Sequence, residues 1–143
     1  QYPGTDFTLD CKLFATDDWW VYLHQYANAL ADLSRIPALQ SRLVVECQVD
    51  YFLLLVQRKQ PYLTLFRYAV DAEEAIWRAV ASRFAGIVVS DDRITAEQVA
   101  QAQDLGLQVT LFGVGSGSSH RRALRKTPDR LQSDAPEELV PKR

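Results

Sequence analysis

The run Thr8-Leu9-Asp10-Cys11-Lys12-Leu13 alternates polar and apolar side chains. In an extended strand that alternation sends Thr8, Asp10 and Lys12 to one face and Leu9, Cys11 and Leu13 to the other. Asp10 and Lys12 thus offer a carboxylate and an ammonium group side by side at the end of a strand. Two settings suit such a face. It lines the interior of a barrel near the C-terminal rim, where barrel enzymes keep their chemistry, or it is the solvated face of an edge strand. Glu46 and Gln48 repeat the theme against Val45, Cys47 and Val49. Cys11 and Cys47 then share the helix-facing side of neighbouring strands. Each reads as a buried free thiol, and nothing in their spacing supports a disulfide, a zinc site or a redox motif.

A second candidate is the loop Gly113-Val-Gly115-Ser-Gly117-Ser-Ser119. It follows a strand and opens a helix, so backbone N–H groups at Gly113, Gly115 and Ser116 could hold a phosphate, helped by the helix dipole. The loop is not Gly-x-Gly-x-x-Gly and lacks the lysine of a P-loop. A tight turn that needs positive φ accounts for the glycines equally well. Asp134 lies where the last strand meets a helical turn, as a pocket residue or as a plain N-cap. His24 reads as a surface or boundary residue of a helix. His120 falls in the first turn of another, and neither has a visible acid–base partner.

Two periods alternate along the chain. Strands are expected at 7–13, 43–49, 62–68, 85–89, 107–112 and 130–133. Helices follow each: from Asp17 or Asp18 to about Pro37, from Asp50 to about Arg58, from Asp71 to Phe84, from Thr95 to Gly106, from Ser118 or Ser119 to Lys126, and a last turn from Pro136. Thr95-Ala-Glu-Gln98 has capping-box spacing, and Gly106 suits a C′ position. Six βα units imply a parallel sheet with right-handed crossovers in one α/β domain, residues 1–143. The sheet is either open and doubly wound or part of a TIM-like (β/α)₈ barrel. A complete barrel takes about 200 residues or more, and this chain has 143. The tail after Leu139 is expected to fray.

The formal net charge is −2, and no broad basic face emerges. A nucleic-acid partner is therefore not expected. Arg121, Arg122, Arg125 and Lys126 read as the wet side of a helix. No apolar run approaches the ~20 residues that span a bilayer, so no transmembrane segment is expected. The chain begins at Gln1, as a processed product or a fragment would, and the compartment stays hidden.

Read in order, four segments resemble the closing section of the glycerophosphodiester phosphodiesterases. They are Ile94-Thr-Ala-Glu-Gln-Val99, Ala102-Gln-Asp-Leu-Gly106-Leu-Gln-Val109, Thr110-Leu-Phe-Gly-Val114 and Pro128-Asp-Arg-Leu-Gln-Ser-Asp134-Ala-Pro136. Phe112 falls on that family's aromatic position, and Ser133-Asp134 on its Thr-Asp. Upstream, Leu9-Asp10-Cys11-Lys12 resembles the family's acidic–x–Lys strand. The resemblance implies Asp10 as a ligand of a divalent metal, Ca²⁺ or Mg²⁺, which suits a carboxylate. It implies Lys12 as the phosphate partner that balances charge on the phosphoryl oxygens. It also implies Phe112 and Asp134 in the substrate pocket.

The family's His-Arg-Gly, Glu-Asn-Thr and Glu-x-Asp motifs are absent, and Gly113 and Gly115 replace its Thr and Asn. The resemblance thus implies the last six of eight barrel units, without the catalytic first part. The activity implied for an intact parent is metal-dependent hydrolysis of a glycerophosphodiester to an alcohol and glycerol 3-phosphate. The chain alone is expected to be inactive, and to self-associate or pair with the missing barrel portion. A non-catalytic α/β scaffold or interaction domain, with the fold kept and the chemistry lost, is the alternative. A small phosphate-binding module built on the glycine loop is a third.

Overall fold

The computed structural model describes residues 6–15 and 17–139; the tail expected to fray lies outside them. Six parallel strands alternate with helices: β1 Phe7–Asp10, α1 Trp19–Ser34, β2 Leu43–Cys47, α2 Asp50–Lys59, β3 Thr64–Tyr68, α3 Ala72–Ser82, β4 Gly86–Ser90, α4 Ala96–Asp104, β5 Gln108–Val114, α5 Gly117–Leu124 and β6 Arg130–Ser133. Short 3₁₀ turns sit at Asp91–Arg93 and Pro136–Glu138. The strand order is the chain order, β1 to β6, with no reversal. A doubly wound sheet reverses its order at a switch point, so the topology is that of a partial TIM-like barrel.

The chain divides into two compact units between Arg67 and Tyr68. In the first, Leu23, Ala27, Leu30 and Ala31 recur at helical spacing along α1 and are buried. They meet the buried stripe of α2: Phe52, Leu53, Leu55 and Val56. Every residue of β2 is buried, as expected of a parallel strand covered on both faces. β1 is shorter than the alternation suggests. Its ladder stops at Asp10, although the Cys11 N–H still donates to the Glu46 carbonyl (2.8 Å).

In the second unit, α3 buries Ala72, Ala75, Ile76 and Ala79. Ile87, Val88, Val89, Val99, Ala102, Val109 and Leu111 complete the core. Asp71 caps α3 by accepting from the Glu74 N–H (2.8 Å). Thr95 and Gln98 make the reciprocal capping box that their spacing predicts.

Other starts differ from expectation. α5 begins at Ser116, whose hydroxyl accepts from the Ser119 N–H while Ser119 answers the Ser116 N–H. Asp18 precedes α1 without a side-chain cap. Val49, not Asp50, holds the N-cap position of α2. Asp50 is drawn instead to Arg67, with Oδ1 2.6 Å from Nε and the Arg67 side chain 7% exposed. A charge pair in low dielectric outweighs a single capping bond.

Candidate functional site

In the first unit the polar–apolar alternation after β1 is realised. Thr8, Asp10 and Lys12 are exposed, while Cys11 and Leu13 are buried. Asp10 stands opposite Glu46 in the β1–β2 register. The Lys12 ammonium group pairs directly with the Asp10 carboxylate, and both side chains are well solvated. Such a surface pair stabilises by about 0–1 kcal/mol, so either partner is cheaply released to a ligand. Among the described residues no group of three or more His, Cys, Asp or Glu side chains is placed to hold a metal ion. Asp10 can supply at most two oxygen donors, far from the six to eight that Ca²⁺ takes.

Beneath this stretch, burial pushes the Cys11 thiol up and the Cys47 thiol to about 11. Tyr26 donates from its hydroxyl to Cys11 Sγ (3.6 Å) and is itself pushed up by that bond.

In the second unit the glycine loop grows out of a bulge in β5. Leu111 pairs with Leu131 and Val114 with Ser133, so β5 spends one extra residue at Phe112–Gly113. Gly113 takes φ +76°, and a Cβ there would lie 3.2 Å from Ser90 Oγ. Its glycine is therefore demanded by the turn itself. Bulges of this kind re-aim a neighbouring side chain at barrel rims. Phe112, half-buried, stacks on Tyr68 with ring centroids 5.4 Å apart and planes 32° apart. Ser90, opposite Phe112 in the register, donates to Asp92 Oδ1 (2.5 Å) and holds that exposed carboxyl below its ordinary range.

The loop next meets Asp134. A Cβ at Gly115 would lie 3.8 Å from Asp134 Oδ2, and one at Gly117 3.3 Å from Glu138 Oε2. Gly115, Ser116 and Asp134 are thus gathered at one place, with carboxylates against the loop. Asp134 does not cap the turn at Pro136–Glu138, which starts from Ala135 with no side-chain cap. The Ala135 N–H goes to Ser133 Oγ instead (3.0 Å).

Three partnerships here were not legible in sequence. His120 is buried, with Nε2 2.7 Å from Ser133 Oγ; its Nδ1 has no hydrogen-bond partner. Asp91, 1% exposed, receives Arg122 Nε at 2.5 Å and Lys126 Nζ at 2.8 Å. Lys126 also donates to the Asp91 carbonyl. The expected wet face of α5 therefore holds for Arg121 and Arg125 but not for Lys126, which is turned inward. The one local signal was the i, i+4 spacing of Arg122 and Lys126, which puts both on one helix face.

No family profile matches the chain, and no curated protein does. Solved structures do. A candidate glycerophosphoryl diester phosphodiesterase from Silicibacter pomeroyi is 20% identical, with a TM-score of 0.84 over 93% of this chain and 48% of its own. An Oleispira antarctica phosphodiesterase, solved in complex with its product sn-glycerol 3-phosphate, is 16% identical, with a TM-score of 0.77 over 94% of this chain and 53% of its own. A glycerophosphodiester phosphodiesterase from Parabacteroides distasonis is 13% identical, with a TM-score of 0.78 over 93% and 55%. At these identities the likeness is one of fold. The chain spans about half the length of each, consistent with a C-terminal portion.

Proposed function

We propose that this chain is the closing six-unit part of a glycerophosphodiester phosphodiesterase, whose complete form hydrolyses a glycerophosphodiester to an alcohol and glycerol 3-phosphate. The observation that supports this most is the fold likeness to several such enzymes across more than nine-tenths of the chain. The order of motifs from Asp10-Cys-Lys12 to Ser133-Asp134 agrees with it.

In this reading Lys12 leaves Asp10 to meet the phosphoryl oxygens, and its positive charge offsets the negative charge that grows there. Asp10, so released, is one ligand of a Ca²⁺ or Mg²⁺ ion that polarises a phosphoryl oxygen; the remaining donors come from the rest of the parent. Phe112 and Tyr68 wall the pocket with aromatic surface. Gly113 and Gly115 offer N–H groups to phosphate, while the Ser116 N–H, expected to join them, is held by Ser119 Oγ in the cap of α5. Asp134, beside Gly115, accepts from a substrate hydroxyl. One lysine and one carboxylate do not replace a general acid and base, so the chain alone is inactive.

A second reading, a scaffold that has lost the chemistry, draws on the Lys12–Asp10 pair and on the lack of a metal cluster among the described residues. Two assays separate them. The chain is incubated with a glycerophosphodiester and Ca²⁺ or Mg²⁺, alone and together with the first two βα units of a fold relative, and released glycerol 3-phosphate is measured. The phosphodiesterase reading expects no turnover alone and turnover on reconstitution, lost by at least tenfold in Lys12→Ala. A parent protein that carries this segment yet shows no turnover and no metal binding refutes it and leaves the scaffold.

A further inference from the structure

We propose that Cys11 and Cys47 form a redox pair that closes into an intramolecular disulfide across β1 and β2. The pairing follows from the register. Asp10 stands opposite Glu46, and the next backbone hydrogen bond, from the Cys11 N–H to the Glu46 carbonyl, carries the ladder one residue further. Cys11 is thereby set opposite Cys47, with both side chains on the same face. Neighbouring strands lie about 4.8 Å apart, inside the Cα separation of roughly 4.4–6.8 Å that a disulfide spans. Both cysteines are free thiols and almost wholly buried, at 2% and 1% exposure.

Burial keeps the pair reduced at rest, because neither sulfur is within reach of an oxidant in solvent. Access comes by local opening. β1 is an edge strand of four residues, and Cys11 lies just beyond its end, before an irregular stretch up to Ala15. Such an end opens at far lower cost than a central strand. The oxidant is a small-molecule disulfide. One protein thiolate attacks it and displaces one thiolate, leaving a mixed disulfide. The second cysteine then attacks the protein sulfur of that bond and displaces the other. In sum, two protein thiols and one small-molecule disulfide give one protein disulfide and two small thiols. The bridge fixes the backbone between Asp10 and Lys12, and it stands whatever those two residues do.

The test equilibrates the chain in glutathione buffers from fully reduced to fully oxidised. Free thiols are then counted in denaturant, and mass, peptide map and melting temperature are recorded. The expected result is a fall from two thiols to none and a mass lower by two hydrogens. One cross-linked peptide pair should carry Cys11 and Cys47, and Tm should rise by roughly 5 °C or more. Dithiothreitol reverses all of these, and Cys11→Ser abolishes them. The peptide map of the unmutated chain decides the matter even if a variant fails to fold. Two thiols that survive the most oxidised buffer, glutathione carried separately on each cysteine, or a bridge between two chains would each overturn the proposal.

Discussion

Asp91 binds two cations, Arg122 on α5 and Lys126 just past its end, more than thirty residues away, and its burial makes that arrangement consequential. Removing one partner of a buried charge pair strands the others. Asp91→Ala should therefore cost about 3–5 kcal/mol, measured by urea unfolding. Arg122→Ala should cost about 1 kcal/mol or less, because that side chain is half solvated. Gly113 is constrained by conformation rather than charge. Its positive φ and the Ser90 hydroxyl at 3.2 Å predict a loss of about 1–3 kcal/mol for Gly113→Ala, against little change for Gly115→Ala. The Cys47 thiol gives a pH dependence. Burial lifts its pKa from the ordinary 9.0 to about 11. The thiol form then stabilises the fold fully below pH 9, and that contribution is lost as pH rises through 11. A thermal melt series should show the decline in that window, and Cys47→Val should weaken it. None of these pairings was readable from local pattern, since their partners are remote in sequence.

At the scale of elements, starts and stops behave as neighbouring residues dictate. The Thr95–Gln98 box was legible because both halves lie within four residues, and Thr95→Ala should cost about 1 kcal/mol in chemical denaturation. Ser116→Ala should cost a similar amount. That box was missed because a serine, Ser119, stands where Glu or Gln is usual. Asp50 looked like a cap by the same local rule and was taken by Arg67 instead, a choice only packing could make. The bulge at Phe112–Gly113 belongs to the same category. It is a mismatch between two strands, and the sequence of one strand shows only a glycine.

For the whole molecule, the deciding facts are topology and extent. Strand order equals chain order, and the chain spans about half the length of the phosphodiesterases it resembles in fold. Among the described residues no helix is long and apolar enough to cross a membrane. β1 and β6 end the sheet, and sheet edges invite further strands. Light scattering on the isolated chain should therefore report a mass above that of one chain at micromolar concentration. If Asp10 joins an assembled metal site, that mass should rise with Ca²⁺ or Mg²⁺ and fall on chelation. A monomer indifferent to metal would favour the scaffold reading.

The sequence by itself determined the α/β class, the number of βα units, the capping box at Thr95, the faces of β1 and the family likeness. All of these depend on residue type and short spacing, through the two periods of strand and helix. Only the tertiary structure decided between a doubly wound and a barrel-like order, placed the bulge that sets Phe112, and turned Lys126 and Arg122 onto Asp91. Those outcomes depend on which distant segments become neighbours, where low dielectric makes an unpaired charge too costly to leave alone.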